Sequence, residues 1–182
     1  MLLGTLAAQQ RWPAGAAILV HINAAGAPLR SSDLIERALV TWTRAADGRF
    51  TLNKTTSSPD AAIHVAFILS RTVFGETRPR VDPRTGAIAS ADVRINGVLP
   101  DDRLNSAIII YLTALHELGH ALGLPHTRDF SSIMYSFSRP DDGERYFGAY
   151  RARLTSVQDI GSSQASGLSA DDVQAIHAFY DR

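Results

Sequence analysis

The sequence predicts an α+β fold: a mixed, twisted sheet of about five strands, two long helices, and an irregular C-terminal part that ends in a third helix. Three observations carry this expectation. Apolar runs rich in β-branched residues at 16–23 (AAILVHIN) and 61–69 (AAIHVAFIL) have the length and composition of strands. Between them, residues 33–46 switch to helical spacing. A longer helical stretch, 102–122, follows the last strand-like run.

Taken in order, residues 1–8 (MLLGTLAA) are small and apolar but lack the basic start of a complete leader, so residues 1–11 are read as a frayed N-terminus, with a truncated leader as the alternative. Residues 16–23 form a buried strand. The helix at 33–46 gathers Leu34, Ile35, Ala38, Leu39 and Trp42 on one face. Ser32 or Asp33 can cap its start, and Gly48 ends it. Residues 49–56 (RFTLNKTT) and 61–69 supply two more strands, an order that implies parallel pairs and a right-handed crossover. A polar loop is expected over 71–84, marked by Gly75, Pro79 and Pro83, with Arg78, Arg80 and Arg84 solvated. Residues 86–96 (GAIASADVRIN) alternate in the manner of an exposed or edge strand.

The helix at 102–122 repeats Ile108, Leu112, Leu115, Leu118 and Leu122 at helical intervals. Asp101 or Asp102 can cap it, and Gly123 and Pro125 stop it. Beyond His126 the chain is expected to be irregular for about forty residues, a length that usually marks a functional loop. The last helix, about 170–181, opens on Ser169-Ala170-Asp171-Asp172, a capping box with an acid in place of Glu, and docks Val173, Ile176, Phe179 and Tyr180.

Eighteen basic and eighteen acidic residues cancel, so no global field favours nucleic acid or an anionic membrane. No apolar run is long enough to span a bilayer. With no cysteine, disulfides and thiolate metal sites are excluded.

The informative segment is HELGHALGLPH at 116–126. Four residues along a helix turn through about 400°, so His116 and His120 project one turn apart from nearly one line and can meet one ion. Gly123 lets the backbone end the helix and turn back, bringing His126 towards the same ion. Three neutral imidazoles leave a fourth tetrahedral position open, the mark of a catalytic rather than a structural zinc. Glu117 is offset from the ligands and can reach a water there. From the composition of the chain, this five-residue pattern arises by chance with odds of about one in 10⁵. The plain alternative is that these histidines only pack on a helix.

The segment resembles the long H-E-x-x-H-x-x-G-x-x-H signature of the metzincins. Met134, in Ser132-Ile133-Met134-Tyr135, lies eight residues past His126 and resembles their Met-turn, an apolar floor beneath the metal. That spacing, the Met-Tyr pair and the ending 168–173 (LSADDV) are most similar to the matrixins, in their minimal bacterial form. The resemblance implies the zincin fold and a single catalytic domain over 1–182, with an upper part of about 12–123 and a lower part of about 124–182. It implies a zinc-dependent endopeptidase, with zinc on His116, His120 and His126 and Glu117 as catalytic base. It also implies a secreted or periplasmic monomer acting on protein or peptide, with neither nucleic acid nor membrane as partner.

The substrate is then expected to lie along an edge strand at about 86–93, touching Ile88, Ala89 and Ser90. Tyr135 and Phe137 would contact it as well, within a wall over about 136–156 that also carries Tyr146, Phe147 and Tyr150. Asp171 or Asp172 would brace the Met-turn or bind a mature N-terminus. Several departures stand beside the likeness. Ser136 follows Met-Tyr where matrixins usually have Pro, and residues 71–87 hold no histidine for a second, structural zinc. Calcium on Asp141, Asp142 and Glu144 is possible but lacks a clear motif. His21, His64 and His177 are read as structural. The alternatives are an inactive or latent zinc-binding module, a metalloprotease with a downstream Glu as third ligand, and a hydrolase of another amide bond.

Overall fold

The structure is a computed structural model that describes residues 10–28, 30–70 and 72–181. The expectation for residues 1–9 lies outside the described residues. In chain order the elements are β1 (Ala16–Asn23), α1 (Ser31–Ala46), β2 (Phe50–Thr55), β3 (Ile63–Ile68), β4 (Gly75–Val81), β5 (Ile88–Asn96), α2 (Arg103–Ala121), α3 (Asp142–Arg151) and α4 (Ala170–Tyr180). The strands form one mixed sheet in the order β2-β1-β3-β5-β4, parallel throughout except for the antiparallel β4–β5 pair.

Alternation decides which face is covered. Ile18 and Val20, Ile63 and Val65, and Ala91, Val93 and Ile95 point inward and are buried, whereas their neighbours in each strand are more open. The helices α1 and α2 cover that inner face: α1 packs on β2, and α2 on β4 and β5. On the open face His21 and His64 stand side by side across β1 and β3. In the last helix His177 donates to the Ala45 carbonyl (2.7 Å).

Helix ends follow local chemistry. Asp102 caps α2 by accepting from the Asn105 N–H (2.6 Å), one of the two caps expected. The start of α1 differs from expectation: it begins a residue before Ser32, after a left-handed Arg30 (φ 67°) and without a side-chain cap. Asp47 and Gly48, both at positive φ, end it.

Three expectations are corrected. The segment read as a solvated loop at 71–84 contains strand β4, and this is the edge of the sheet. Consequently Ile88, Ala89 and Ser90 belong to an interior strand, where Val81 and Arg80 pair with Ile88 and Ser90. The apolar period is absent from β4 because the residues that pair with Ile95, Val93 and Ala91 are Gly75, Thr77 and Pro79. Its outer face is charged instead. Arg94 and Arg78 donate to Glu76 (2.8 and 3.2 Å), and Arg80 donates to Asp92 (2.5 Å).

The third correction is α3, in the stretch expected to be irregular. Asp142 folds under its first turn, accepting from the Ser138 and Arg139 N–H groups (2.9 Å each) and the Tyr135 hydroxyl (3.0 Å). Arg11, assigned to a frayed end, is also tied down: its guanidinium donates to the Phe179 carbonyl, and its own carbonyl accepts from Ile88 N–H.

Trp42 is the hinge of the core. It is fully buried between α1 and α2 and donates its indole N–H to the Leu115 carbonyl (2.8 Å). Thr41 follows the same path, its hydroxyl meeting that of Tyr111 (2.9 Å), which in turn donates to the Ser166 carbonyl (2.5 Å). Replacing Trp42 with Ala should cost about 3–5 kcal/mol by urea unfolding, the sum of lost burial and the cavity left behind. A loss below about 1 kcal/mol would contradict this account of the core.

Candidate metal centre and cleft

His116 and His120 lie on the last turns of α2, one turn apart as the helix dictates. The helix then closes in a Schellman pattern: Leu124 N–H donates to the Gly119 carbonyl (3.0 Å) and Gly123 N–H to the His120 carbonyl (2.9 Å). Gly123 sits at φ 96°, and a Cβ there would stand 2.3 Å from the Gln10 carbonyl, so glycine is required twice over. Two aromatic donors finish the helix end. Trp12 N–H reaches the Ala121 carbonyl (2.8 Å) and the Tyr180 hydroxyl the Leu122 carbonyl (2.9 Å). The chain reverses and delivers His126.

The three Nε2 atoms form a nearly equilateral triangle with sides of 3.1, 3.1 and 3.2 Å. Zn–N bonds of about 2.0–2.1 Å set the corners of a tetrahedron roughly 3.3 Å apart, so the donor set fits zinc. Among the described residues this is the one cluster of three histidine, cysteine or acidic ligand atoms close enough to share an ion. The outer nitrogens are oriented. His116 Nδ1–H donates to the Ile133 carbonyl (2.6 Å) and His120 Nδ1–H to the Leu124 carbonyl (2.8 Å), which leaves each Nε2 lone pair free. Burial drives His116 down to about 4, the other two imidazoles adding to the shift and the Ile133 carbonyl opposing it. His120 is lowered for the same main reason.

Met134 lies buried beneath, its sulfur against the bare face of Gly119, where a Cβ would come within 2.4 Å. Asp172 braces this turn while completing the capping box of α4. Its Oδ1 accepts from the Ser132 hydroxyl (2.5 Å), and its Oδ2 from Ile133 N–H (3.0 Å) and Ser169 N–H (2.8 Å). A chain of bonds therefore runs from α4 through Ile133 to His116. The brace expected of Asp171 or Asp172 falls to Asp172.

Glu117 faces a cavity of about 440 Å³ that also holds all three histidines. It is only 5% exposed, and its Oε2 accepts from the Thr77 hydroxyl (2.7 Å). Burial raises its carboxyl to about 7, the Thr77 bond pulling the other way and Glu76 adding to the rise. Phe137, Tyr146 and Phe147 line the cavity, as does Phe74 from across the cleft, edge-on to Phe147. Two residues expected at the cleft are turned away. Tyr150 donates to the Ala165 carbonyl (2.5 Å), and Tyr135 to Asp142. None of Ile88, Ala89 and Ser90 lines the cavity. Sequence reasoning missed Phe74, Gly75 and Thr77. Their signal, small residues alternating with charges beside a Phe, is not an apolar period.

A mixed five-stranded sheet above a helix carrying H-E-x-x-H, with a third histidine behind a glycine turn and a methionine floor, is the architecture of the metzincins. The matrixin family model matches residues 27–147, well over half of the chain, and the chain belongs to the matrixin family. Matrixins are zinc metallopeptidases whose substrates are proteins or peptides. Among the described residues no helix is long and apolar enough to cross a membrane.

Glu117 gives a pH test in the metal-free protein. Its folded value of about 7 lies above the ordinary 4.5, so its contribution is present below pH 4.5 and lost as pH rises through 7. Glu117→Gln should therefore stabilise the metal-free protein at pH 8 by up to about 3 kcal/mol, and little at pH 4, in urea titrations. An equal effect at both values would contradict the burial of this carboxyl.

Proposed function

We propose that this protein is a zinc-dependent endopeptidase in which His116, His120 and His126 hold the metal and Glu117 is the general base. One observation carries the reading: a buried carboxylate shares a cavity with three Nε2 atoms spaced 3.1–3.2 Å apart. Zinc on those nitrogens supplies Lewis acidity, acidifying a water and polarising the scissile carbonyl. Glu117 takes the proton of the attacking water and passes it to the departing amine. A carboxyl held near 7 before metal binding is suited to both directions of that transfer.

The peptide adds to the free edge of β4. Asn96 N–H bonds to the Phe74 carbonyl, which makes Gly75 and Ile95 a non-hydrogen-bonded pair. By the antiparallel alternation, the amides and carbonyls of Gly75 and Thr77 then face outward, beside Glu117. Pro79 stands next in that row with no N–H to give and ends the available edge. An extended substrate thus finds pairing groups only along the stretch that borders the histidines. Phe137, Tyr146 and Phe147 form an apolar wall for a side chain next to the scissile bond. Every group invoked belongs to one chain, and release from the cell, the habit of the family, is part of the same reading.

Chelator-treated protein should lose casein hydrolysis and recover it on adding zinc. Glu117→Gln should lower kcat by about 10²–10⁴-fold with zinc content unchanged by elemental analysis. Cleavage that survives the chelator, or full activity in that variant, would contradict the mechanism.

A further inference from the structure

We propose that Thr77 is the positioning residue for the Glu117 carboxylate, a role that rests on the reading of Glu117 as general base. Glu117 is nearly sheathed by protein, yet the Thr77 hydroxyl is the one side-chain donor recorded on its carboxylate among the described residues. The same hydroxyl lies 2.9 Å from the Glu117 main-chain carbonyl, so it spans the backbone and the carboxylate of one residue. That arrangement fixes the side chain relative to its own helix and, through the helix, relative to His116 and His120.

Two residues earlier, Gly75 closes the seat by shape. A Cβ at Gly75 would stand 2.7 Å from Glu117 Cγ and 2.8 Å from Oε1, both too close to tolerate. Gly75 therefore lies flat against the carboxyl stem and Oε1 while Thr77 holds Oε2, so the carboxylate is seated from two sides by β4. Both residues point inward from β4, and both offer their main-chain groups on its free edge. Paired to a substrate strand there, they are stiffened from the opposite side. The base is thus held by the strand that receives the peptide.

A bond that merely tied β4 to α2 would affect folding and substrate affinity rather than the chemical step. Thr77→Val removes the hydroxyl at nearly constant shape, and Thr77→Ser restores it. In casein-derived peptide assays Thr77→Val should lower kcat by about 10–100-fold, with KM within about 2-fold and zinc content unchanged. Thr77→Ser should stay within about 3-fold of wild type. A readout free of catalysis comes from the metal-free protein: Thr77→Val should lower Tm by about 3 °C or more beside Glu117, and by clearly less in a Glu117→Met background, where only the bond to the main-chain carbonyl is left to lose.

Wild-type kcat in Thr77→Val, equal damage from Val and Ser, or the same Tm loss in both backgrounds would overturn the assignment. An active wild type with a fully active Thr77→Val sinks this inference alone. A wild type without turnover in the presence of zinc sinks the endopeptidase reading and this role with it.

Discussion

Three imidazole nitrogens drawn from eleven consecutive residues have to meet within about 3 Å of one another, and a regular helix can deliver only two of them. Much of the lower half of the molecule answers that constraint. The helix must stop abruptly, the chain must reverse, and the returning segment must be held against the helix it has just left. Gly123 permits the reversal, while Trp12 and Tyr180 saturate the carbonyls that the abrupt stop leaves open. Each lies more than fifty residues from its partner carbonyl, so the histidine cluster is assembled by the whole fold.

A second consequence concerns what sits under the histidines. Thr127 N–H and the Met134 carbonyl join (2.8 Å), as do Ser136 N–H and the Thr127 carbonyl (3.0 Å), pinning the returning segment to the methionine turn. That turn fits only because position 119 has no side chain. Asp172 then locks it from α4, and the Ile133 carbonyl passes the lock to His116. The arrangement places a buried carboxyl, Glu117, and two depressed imidazoles in one small volume, at a cost that the surrounding apolar core offsets. Local destabilisation of this kind is common where chemistry is done.

Most of the architecture was legible from periodicity, because β1, β3, α1 and α2 bury continuous or regularly spaced apolar side chains. The histidine cluster was legible for a different reason: a ligand set for one metal ion has a fixed spacing in sequence, and 116–126 has that spacing throughout. What escaped was governed by neither rule. Strand β4 borders the cleft, so its inward residues are small enough to admit Glu117 and its outward residues pair ions across to β5. Helix α3 is short, interrupted by Gly143 and Gly148, and anchored by a buried Asp142 rather than by an apolar stripe. Gly143 has its own reason, since a Cβ there would press on Phe74 at 3.1 Å from the opposite side of the cleft. Placing the edge at 86–93 was an error of topology, because an alternating strand looks the same whether one neighbour or two flank it.

The most direct test of the central claim, that three histidines hold a zinc ion with one position left open, is zinc K-edge X-ray absorption on the purified, zinc-loaded protein. The expected result is one zinc per chain with three imidazole nitrogens and one exchangeable oxygen at about 2.0–2.1 Å. A folded protein that takes up no zinc, or a zinc ion enclosed by four protein ligands, would contradict it.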